Sequence, residues 1–332
     1  MHFIEASTSQ TAQSLPKAVM DGLSQTPKTL PCRFFYDDIG SALFEKITDL
    51  PEYYPTRTEH TILEHYADQM IEAAIGNHSE PLTMLELGSG SSYKTRLLIE
   101  AALRAQGNLH YVPIDISGDF LRESAAILLK EYGNQGLSIT AVAAEYQDAL
   151  TVLPTREGPR LFLFLGSNIG NFSTRTAIAL LSDLRRQMFP EDRLLLGVDL
   201  VKDVNILKAA YDDSAGVTAA FNKNLLTRIN REMSADIDLL QWEHRALFNR
   251  EASRIEMWLI SRIDQFVTFP QEGRYISFRK GEGIHTENSH KYTQESFAQL
   301  CEAADLTIQK SWSDSKNWFA SFLLRPESGG VK

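Results

Sequence analysis

From residue 82 onward, short apolar runs alternate with stretches in which apolar residues recur every three or four positions. The run 82–87 (LTMLEL) reads as a strand ending in Gly88-Ser89-Gly90, and residues 94–105 then carry a helical pattern. A second strand, 109–116 (LHYVPIDI), ends near Asp115, and the helical stretch 120–132 stops at Gly133. Residues 137–144 and 160–165 are further strands; the latter, RLFLFL, is apolar on both faces, as a strand inside a parallel sheet must be. Ser173 or Thr174 can then cap a helix whose Ala177, Leu180, Leu181, Leu184 and Met188 share one face, with Pro190 just beyond. Residues 193–201 (RLLLGVDLV) form a fifth strand. This alternation predicts an α/β fold with a doubly wound sheet.

The flanks have a different texture. Residues 1–15 are polar and read as loose. Residues 16–63 are helical and aromatic, while 202–290 begin with helices and turn β-like at 256–263 and 274–279. A final helix, 294–304, and strands near 306–310 and 318–324 would complete the sheet edge. We therefore expect residues 64–200 and 291–332 to form one domain. Residues 1–63 and 201–290 are expected to form a second, smaller α+β domain.

Composition narrows the class. The chain has 332 residues, 43% hydrophobic and 23% charged, which fits one or two globular domains. Its net charge of −10 argues against a nucleic-acid partner or an anionic membrane, both of which need a basic face. Cys32 and Cys301 are far apart and in no ligand spacing, so neither a disulfide framework nor a zinc site is expected. His60 and His65 are five positions apart, and His285 and His290 are expected in a loop, so no metal is expected either. No apolar run reaches the ~18–20 residues that span a bilayer, and the first residues lack a leader pattern. A cytoplasmic protein is the expectation.

The segment LELGSGSSYKT follows a strand and opens a helix, where backbone N–H groups and a helix dipole can meet a ligand. Gly88 and Gly90 allow a sharp turn and close approach, but the third small residue of a dinucleotide fingerprint is replaced by Tyr93. A pyrophosphate cofactor is disfavoured. Asp115, ending the next strand, is placed to accept from ribose hydroxyls, although a structural turn with a strand-end cap would use the same residues. A glycine turn and a following acid without the third glycine resemble the Rossmann-like class I methyltransferases, which bind S-adenosylmethionine.

Longer segments carry a closer resemblance. FFYDDIGSALFEKITDLPEYYPTRTEHTIL, LELGSGSSYKTRLL, FLGSNIGNF, LLLGVDLVKD, AYDDSAGVTAAFNKNLLTRINRE, EMWLISR and IHTENSHKYT are together similar to the histidine Nα-methyltransferases of ergothioneine biosynthesis, over about residues 30–324. The resemblance implies trimethylation of L-histidine to hercynine with S-adenosyl-L-methionine as methyl donor. It implies small-molecule partners, histidine with its mono- and dimethyl forms; a monomer is the expectation. It places cofactor contacts at Tyr36, Gly88, Lys94, Asp115, Glu145 and Tyr146; Glu145 stands where the family usually has an aspartate, one methylene shorter. It places the amino acid at Tyr53, Gly166, Asn171, Tyr211, Met257, Glu287 and Ser289, with Tyr53 and Asn171 serving catalysis by orienting the amine.

That set is chemically coherent. Asn171 and Tyr211 supply neutral donors for a carboxylate, and Glu287 with Ser289 can satisfy both nitrogens of an imidazole. Two departures from the family pattern stand out: Asn288, where an apolar residue is usual between the acid and the serine, and Ser167-Asn168 in the glycine loop. Read alone, Met257 would be a core residue and Glu287-Asn288-Ser289 an ordinary polar loop. A tryptophan or prenylated-tryptophan Nα-methyltransferase is the nearest alternative, but an indole gives no reason to retain both Glu287 and Ser289. A non-catalytic amino-acid-binding protein on the same fold is the alternative from another class.

Overall fold

A computed structural model describes residues 2–5, 14–155 and 157–327. These fall into two compact units, one containing Pro55–Val201, the chain from Tyr292 onward and the strand His2–Glu5, the other containing 14–54 and Lys202–Lys291.

In the first unit the apolar runs form an eight-stranded sheet in the order His2–Glu5, Leu137–Ala143, Leu109–Asp115, Thr83–Leu87, Arg160–Phe164, Arg193–Asp199, Phe319–Pro326 and Leu306–Ser313. The first six strands are parallel, and the last two form an antiparallel hairpin completing the edge. Thr83–Leu87 and Arg160–Phe164 are buried at every position because helices cover both faces. One layer packs Met70, Ile71 and Leu98 against Met84 and Leu161; the other packs Leu180, Leu184 and Phe297 against Phe162 and Leu196. Ser173 caps the helix Thr174–Gln187 by accepting from the Thr176 N–H at 3.2 Å.

Polar groups pin the edges of this core. Asp192, wholly buried, accepts from the backbone N–H of Arg160 at 2.9 Å, from its guanidinium at 2.8 and 3.1 Å, and from the Phe189 N–H at 2.9 Å. The pair holds the entry of one strand against the entry of the next.

The second unit has a four-stranded sheet in the order Lys28–Thr29, Gly283–His290, Arg254–Ser261 and Trp242–Asn249, with a separate hairpin of Gln265–Phe269 and Arg274–Phe278. Asp37 caps the helix Asp38–Thr48 through the Gly40 N–H at 2.8 Å, and its other donors are Asn224 at 2.8 Å and Arg231 at 2.8 Å on the helix Val217–Met233. Asp213 accepts from the N–H groups of Val217 and Thr218, which would otherwise lack partners in that helix's first turn.

Several expectations need correction. Residues 2–5 are not loose: His2–Glu5 pairs in parallel with Leu137–Ala143, its short HFIE pattern having been masked by polar neighbours. Residues 6–13, called loose with it, lie outside the described residues. The segment HTENSH is a strand, not a loop, because both flanks of Gly283–His290 are paired along part of its length. The units divide at Pro55 instead of residue 64, since the helix Tyr54–Ile75 is continuous and packs Ile62 and Leu63 into the first core. Among the described residues no helix is long and apolar enough to cross a membrane.

Replacing Asp192 by Ala leaves the Arg160 charge buried without its carboxylate, so it is expected to cost about 3–5 kcal/mol, measured by denaturant unfolding. A loss below about 1 kcal/mol would show that the pair does not hold this edge.

Candidate active site

The first unit gathers Gly88, Lys94, Asp115, Glu145, Tyr146, Gly166 and Asn171 around the carboxyl ends of its strands, where open parallel sheets bind ligands. The glycine turn folds back on the next strand: the Gly88 and Ser89 N–H groups both donate to the Ile114 carbonyl, at 2.8 and 3.1 Å. Gly88 has φ +68°, and a Cβ there would stand 2.8 Å from the Tyr146 hydroxyl, so both backbone and space demand glycine. Asp115 accepts from the Gly90 N–H on one oxygen and the Ser117 N–H on the other, each at 3.0 Å. Burial raises its pKa against the pull of these N–H groups. Glu145 is the N-cap of the short helix Tyr146–Ala149, and the Tyr146 ring meets Phe164 edge-on at 5.5 Å.

Lys94 has a partner that sequence reasoning missed. Its ammonium pairs with Glu59, wholly buried on the helix Tyr54–Ile75. Both Glu59 oxygens also lie near the Gly166 N–H, at 2.9 and 3.0 Å. Space for the carboxylate comes from Gly197, where a Cβ would lie 1.9 Å from the Glu59 oxygen. After Gly166, at φ +76°, Ser167 also turns left-handed at φ +58°, and its hydroxyl accepts from the Asp199 N–H at 2.9 Å. Asn171 closes the 3-10 turn Asn168–Asn171 that follows.

A second missed acid lies under the turn. Glu86 accepts from Thr95 at 2.6 Å and from the Tyr111 hydroxyl, which also meets Ser92 at 2.9 Å. Burial pushes its pKa up to about 7 despite those donors. An acid in the otherwise apolar LTMLEL was a usable sequence signal; Glu59, inside polar TRTEH, offered none.

The second unit holds Tyr36, Tyr53, Tyr211, Met257, Glu287 and Ser289. Tyr53, Tyr211, Met257 and Glu287, with Phe44 and Phe221, line a small cavity. Tyr53 meets Tyr211 edge-on at 6.1 Å and Phe44 at 6.3 Å, so the walls are largely ring faces and edges. Tyr36 packs on Phe44 and Phe221 at 5.7 and 5.8 Å, in this unit and apart from the other expected cofactor residues in the chain's division.

Strand geometry assembles the polar end. A bulge at Thr286, whose hydroxyl donates to the Met257 carbonyl at 3.0 Å, shifts the register so that Glu287 pairs directly with Met257. Glu287 and Ser289 then share one face of the strand, whereas Asn288 points to the other. Ser289 Oγ lies 2.7 Å from Tyr211 Oη. Burial pushes Glu287 up to about 7, while the nearby Lys291 ammonium pulls it down. Burial, reinforced by Glu287, pushes the Cys32 thiol up to about 12, so it stays protonated and is no nucleophile.

The first unit's parallel sheet with its edge hairpin, glycine turn and strand-end acid defines a class I, S-adenosylmethionine-dependent methyltransferase. The turn fits that cofactor: a Cβ at Gly90 would meet no atom within 4 Å, and the buried Ser89 hydroxyl has no partner among the described residues. A family model described as histidine-specific, S-adenosylmethionine-dependent methyltransferase matches residues 15–326, and the chain belongs to that family. It is 43% identical over 303 residues to a histidine N-alpha-methyltransferase of Mycolicibacterium smegmatis, covering 91% of this chain and 92% of the relative. A histidine N-alpha-methyltransferase of Mycobacterium tuberculosis is 42% identical, covering 92% and 93%. An L-tryptophan methyltransferase of Psilocybe serbica is 29% identical, covering 96% and 94%.

Gly88→Ala should raise the dissociation constant for S-adenosylhomocysteine at least ~10-fold by calorimetry, the cost of strain and of displacing Tyr146 being about 1–3 kcal/mol. Unchanged affinity would remove the turn from the cofactor site. Because the Glu86 pKa is raised on folding, the folded state holds a proton that the unfolded chain releases, so stability falls as pH rises from about 4.5 to about 7. Glu86→Gln should flatten that segment of the thermal stability profile; an unchanged slope would place its origin elsewhere.

Proposed function

We propose that this protein methylates the α-nitrogen of L-histidine three times in succession, giving the trimethyl betaine hercynine, a step of ergothioneine formation. Support comes from family membership and from one structural observation: in an aromatic cavity the bulge at Thr286 brings Glu287 opposite Met257 and onto one strand face with Ser289. A carboxylate and a hydroxyl offer an acceptor and a donor, the complement of a neutral imidazole. Phenylalanine and leucine would leave both groups unpaired, at about 1–3 kcal/mol each and more for the carboxylate.

S-adenosylmethionine supplies a methyl group on a sulfonium, open to in-line displacement by an amine lone pair. The protein's task is alignment and deprotonation. We assign Gly88, Lys94, Asp115, Glu145 and Tyr146 to holding the cofactor, with Tyr36 added on the family resemblance alone. Asn171 is assigned to the substrate carboxylate, Tyr211, whose hydroxyl lies 2.7 Å from Ser289 Oγ, to holding that serine, and Tyr53, Asn171 and the Gly166 carbonyl to orienting the amine. The α-ammonium of an amino acid must lose a proton before each transfer; a water chain past Tyr53 is our reading of its route. Rings such as Tyr53 favour the increasingly methylated ammonium by cation–π attraction of about 0.5–2 kcal/mol, which keeps partly methylated forms bound.

The test is incubation with S-adenosylmethionine and the twenty amino acids, followed by mass spectrometry. Histidine should be the amino acid that gains methyl groups and should end as the trimethyl form; an unmodified histidine pool would overturn the reading. In Glu287→Ala the kcat/KM preference for histidine over phenylalanine should fall ~100-fold. A preserved preference would move imidazole recognition away from this residue.

A further inference from the structure

We infer that Lys291 is a specificity-determining positioning residue: its buried ammonium fixes the hydroxyl protons of Tyr211 and Ser289 so that the cavity presents a hydroxyl donor beside the Glu287 acceptor. The inference rests on the reading of the cavity as the imidazole pocket and goes beyond it by naming a residue outside the expected set.

Lys291 is 2% exposed, among the largest fully buried side chains of the molecule. Lysine is rarely placed so deep without a reason, since burial of an ammonium is costly unless donors and charge are matched. Its backbone is clamped on both sides to one residue: its N–H donates to the Ser253 carbonyl at 2.7 Å, and its carbonyl accepts from the Ser253 hydroxyl at 2.8 Å. Ser253 itself sits in a left-handed turn at φ 49°. The side chain therefore leaves the strand end in a fixed direction, and its ammonium donates to Tyr211 Oη at 2.9 Å and Ser289 Oγ at 2.7 Å, with the charge 4.7 Å from the Tyr211 ring centre.

An ammonium can only donate, so both hydroxyl oxygens must accept from it. Those oxygens are also 2.7 Å from each other, a bond that uses the proton of one of them. One hydroxyl proton remains in the triangle, and it must point away from the ammonium. When Tyr211 donates to Ser289, the outward proton is the serine's, on the strand face that carries Glu287. Without the ammonium, either hydroxyl is free to turn an oxygen lone pair outward, and a second acceptor beside Glu287 no longer distinguishes an imidazole from a ring bearing only N–H groups.

Tyr211 is fixed at its other end as well. Its carbonyl accepts from His244 Nε2 at 2.8 Å, while His244 Nδ1 meets the Asn222 side-chain amide nitrogen at 2.8 Å. Burial lowers the His244 pKa, so the ring is neutral, with Nδ1 accepting and Nε2–H donating. Backbone and hydroxyl of Tyr211 are thus held independently, and only the hydroxyl depends on Lys291.

The test uses full-length wild type, Lys291→Met, Ser289→Ala and the double variant, with S-adenosylmethionine as donor. Lys291→Met should raise the KM for histidine ~10–100-fold with kcat changed less than ~3-fold, and should lower the kcat/KM ratio of histidine over phenylalanine at least ~10-fold. A ratio within one variant does not depend on how much of it is folded. Adding Ser289→Ala should cost little more than either change alone, because both act through the same hydroxyl. In wild type, 15N NMR of labelled histidine bound with S-adenosylhomocysteine should show one neutral tautomer at neutral pH. Overturning results are a Lys291→Met selectivity ratio and KM within twofold of wild type, additive losses in the double variant, or a tautomer mixture or imidazolium in wild type; the NMR outcome decides even if Lys291→Met does not fold. If wild type neither binds nor methylates histidine, the functional reading fails instead, and the two failures are distinct.

Discussion

The first unit is organised around the burial of one carboxylate. Glu59 is wholly enclosed, and an enclosed carboxylate must be matched by charge and by N–H donors or the fold bears several kcal/mol of desolvation. The matches come from three different places: the Lys94 ammonium at the start of one helix, the Gly166 N–H after one strand, and the missing Cβ of Gly197 inside the next. The helix Tyr54–Ile75 is thereby tied to the carboxyl ends of the strands. Lys94 and Gly166 are among the residues proposed to hold the cofactor and orient the substrate amine, so on that proposal the same tie positions groups of the site. Asp115, by contrast, is matched by backbone N–H groups alone, that of Ser117 in its own turn and that of Gly90 in the neighbouring glycine turn, and so joins two loops without a charged partner.

The second unit reaches its polar arrangement differently. Its cavity is walled by aromatic rings, Tyr53 and Tyr211 among them carrying hydroxyls, and the carboxylate and the serine enter from one strand. The bulge at Thr286 decides which residues do so. A regular strand would alternate from His285 onward and set Glu287 against a different neighbour; the extra residue pairs Glu287 with Met257 and keeps Ser289 on the same face two positions on. This also explains why Asn288 is tolerated where the family usually has an apolar residue. It faces the opposite side of the strand, so the change does not enter the cavity.

Much of this was legible in the chain. The parallel strands are continuous apolar runs, the helix after Ser173 has a full face and a cap, and the edge hairpin follows a final helix, so period and length alone suffice. The strand His2–Glu5 was not legible, because four residues beside a polar stretch give no period. Gly283–His290 was missed for another reason: a strand carrying pocket residues has Thr, Glu, Asn and Ser where a core strand has Val and Ile, and it resembles a loop in composition. The motif residues of the site were found by resemblance to a family. Their supports were not: Glu59 and Lys291 are charged residues in polar contexts, and only the tertiary structure shows that both are enclosed.

The acidity of Glu287 ties these strands of argument together. Burial alone would drive its proton on, and the Lys291 ammonium opposes that, leaving a carboxyl that titrates at about 7. An imidazole titrates near ~6.5 in water. Two groups so closely matched would share a proton with little preference for either. A third group must then choose the form that is bound, and the hydroxyl of Ser289 does so on the proposed reading: turned outward as a donor, it requires a ring nitrogen with a lone pair. A neutral imidazole has one and an imidazolium has none. The carboxylate by itself accepts from the cation and from the neutral ring's N–H alike, so recognition of the neutral ring depends on the hydroxyl's direction, and on the proposed reading that direction is set by the Lys291 charge.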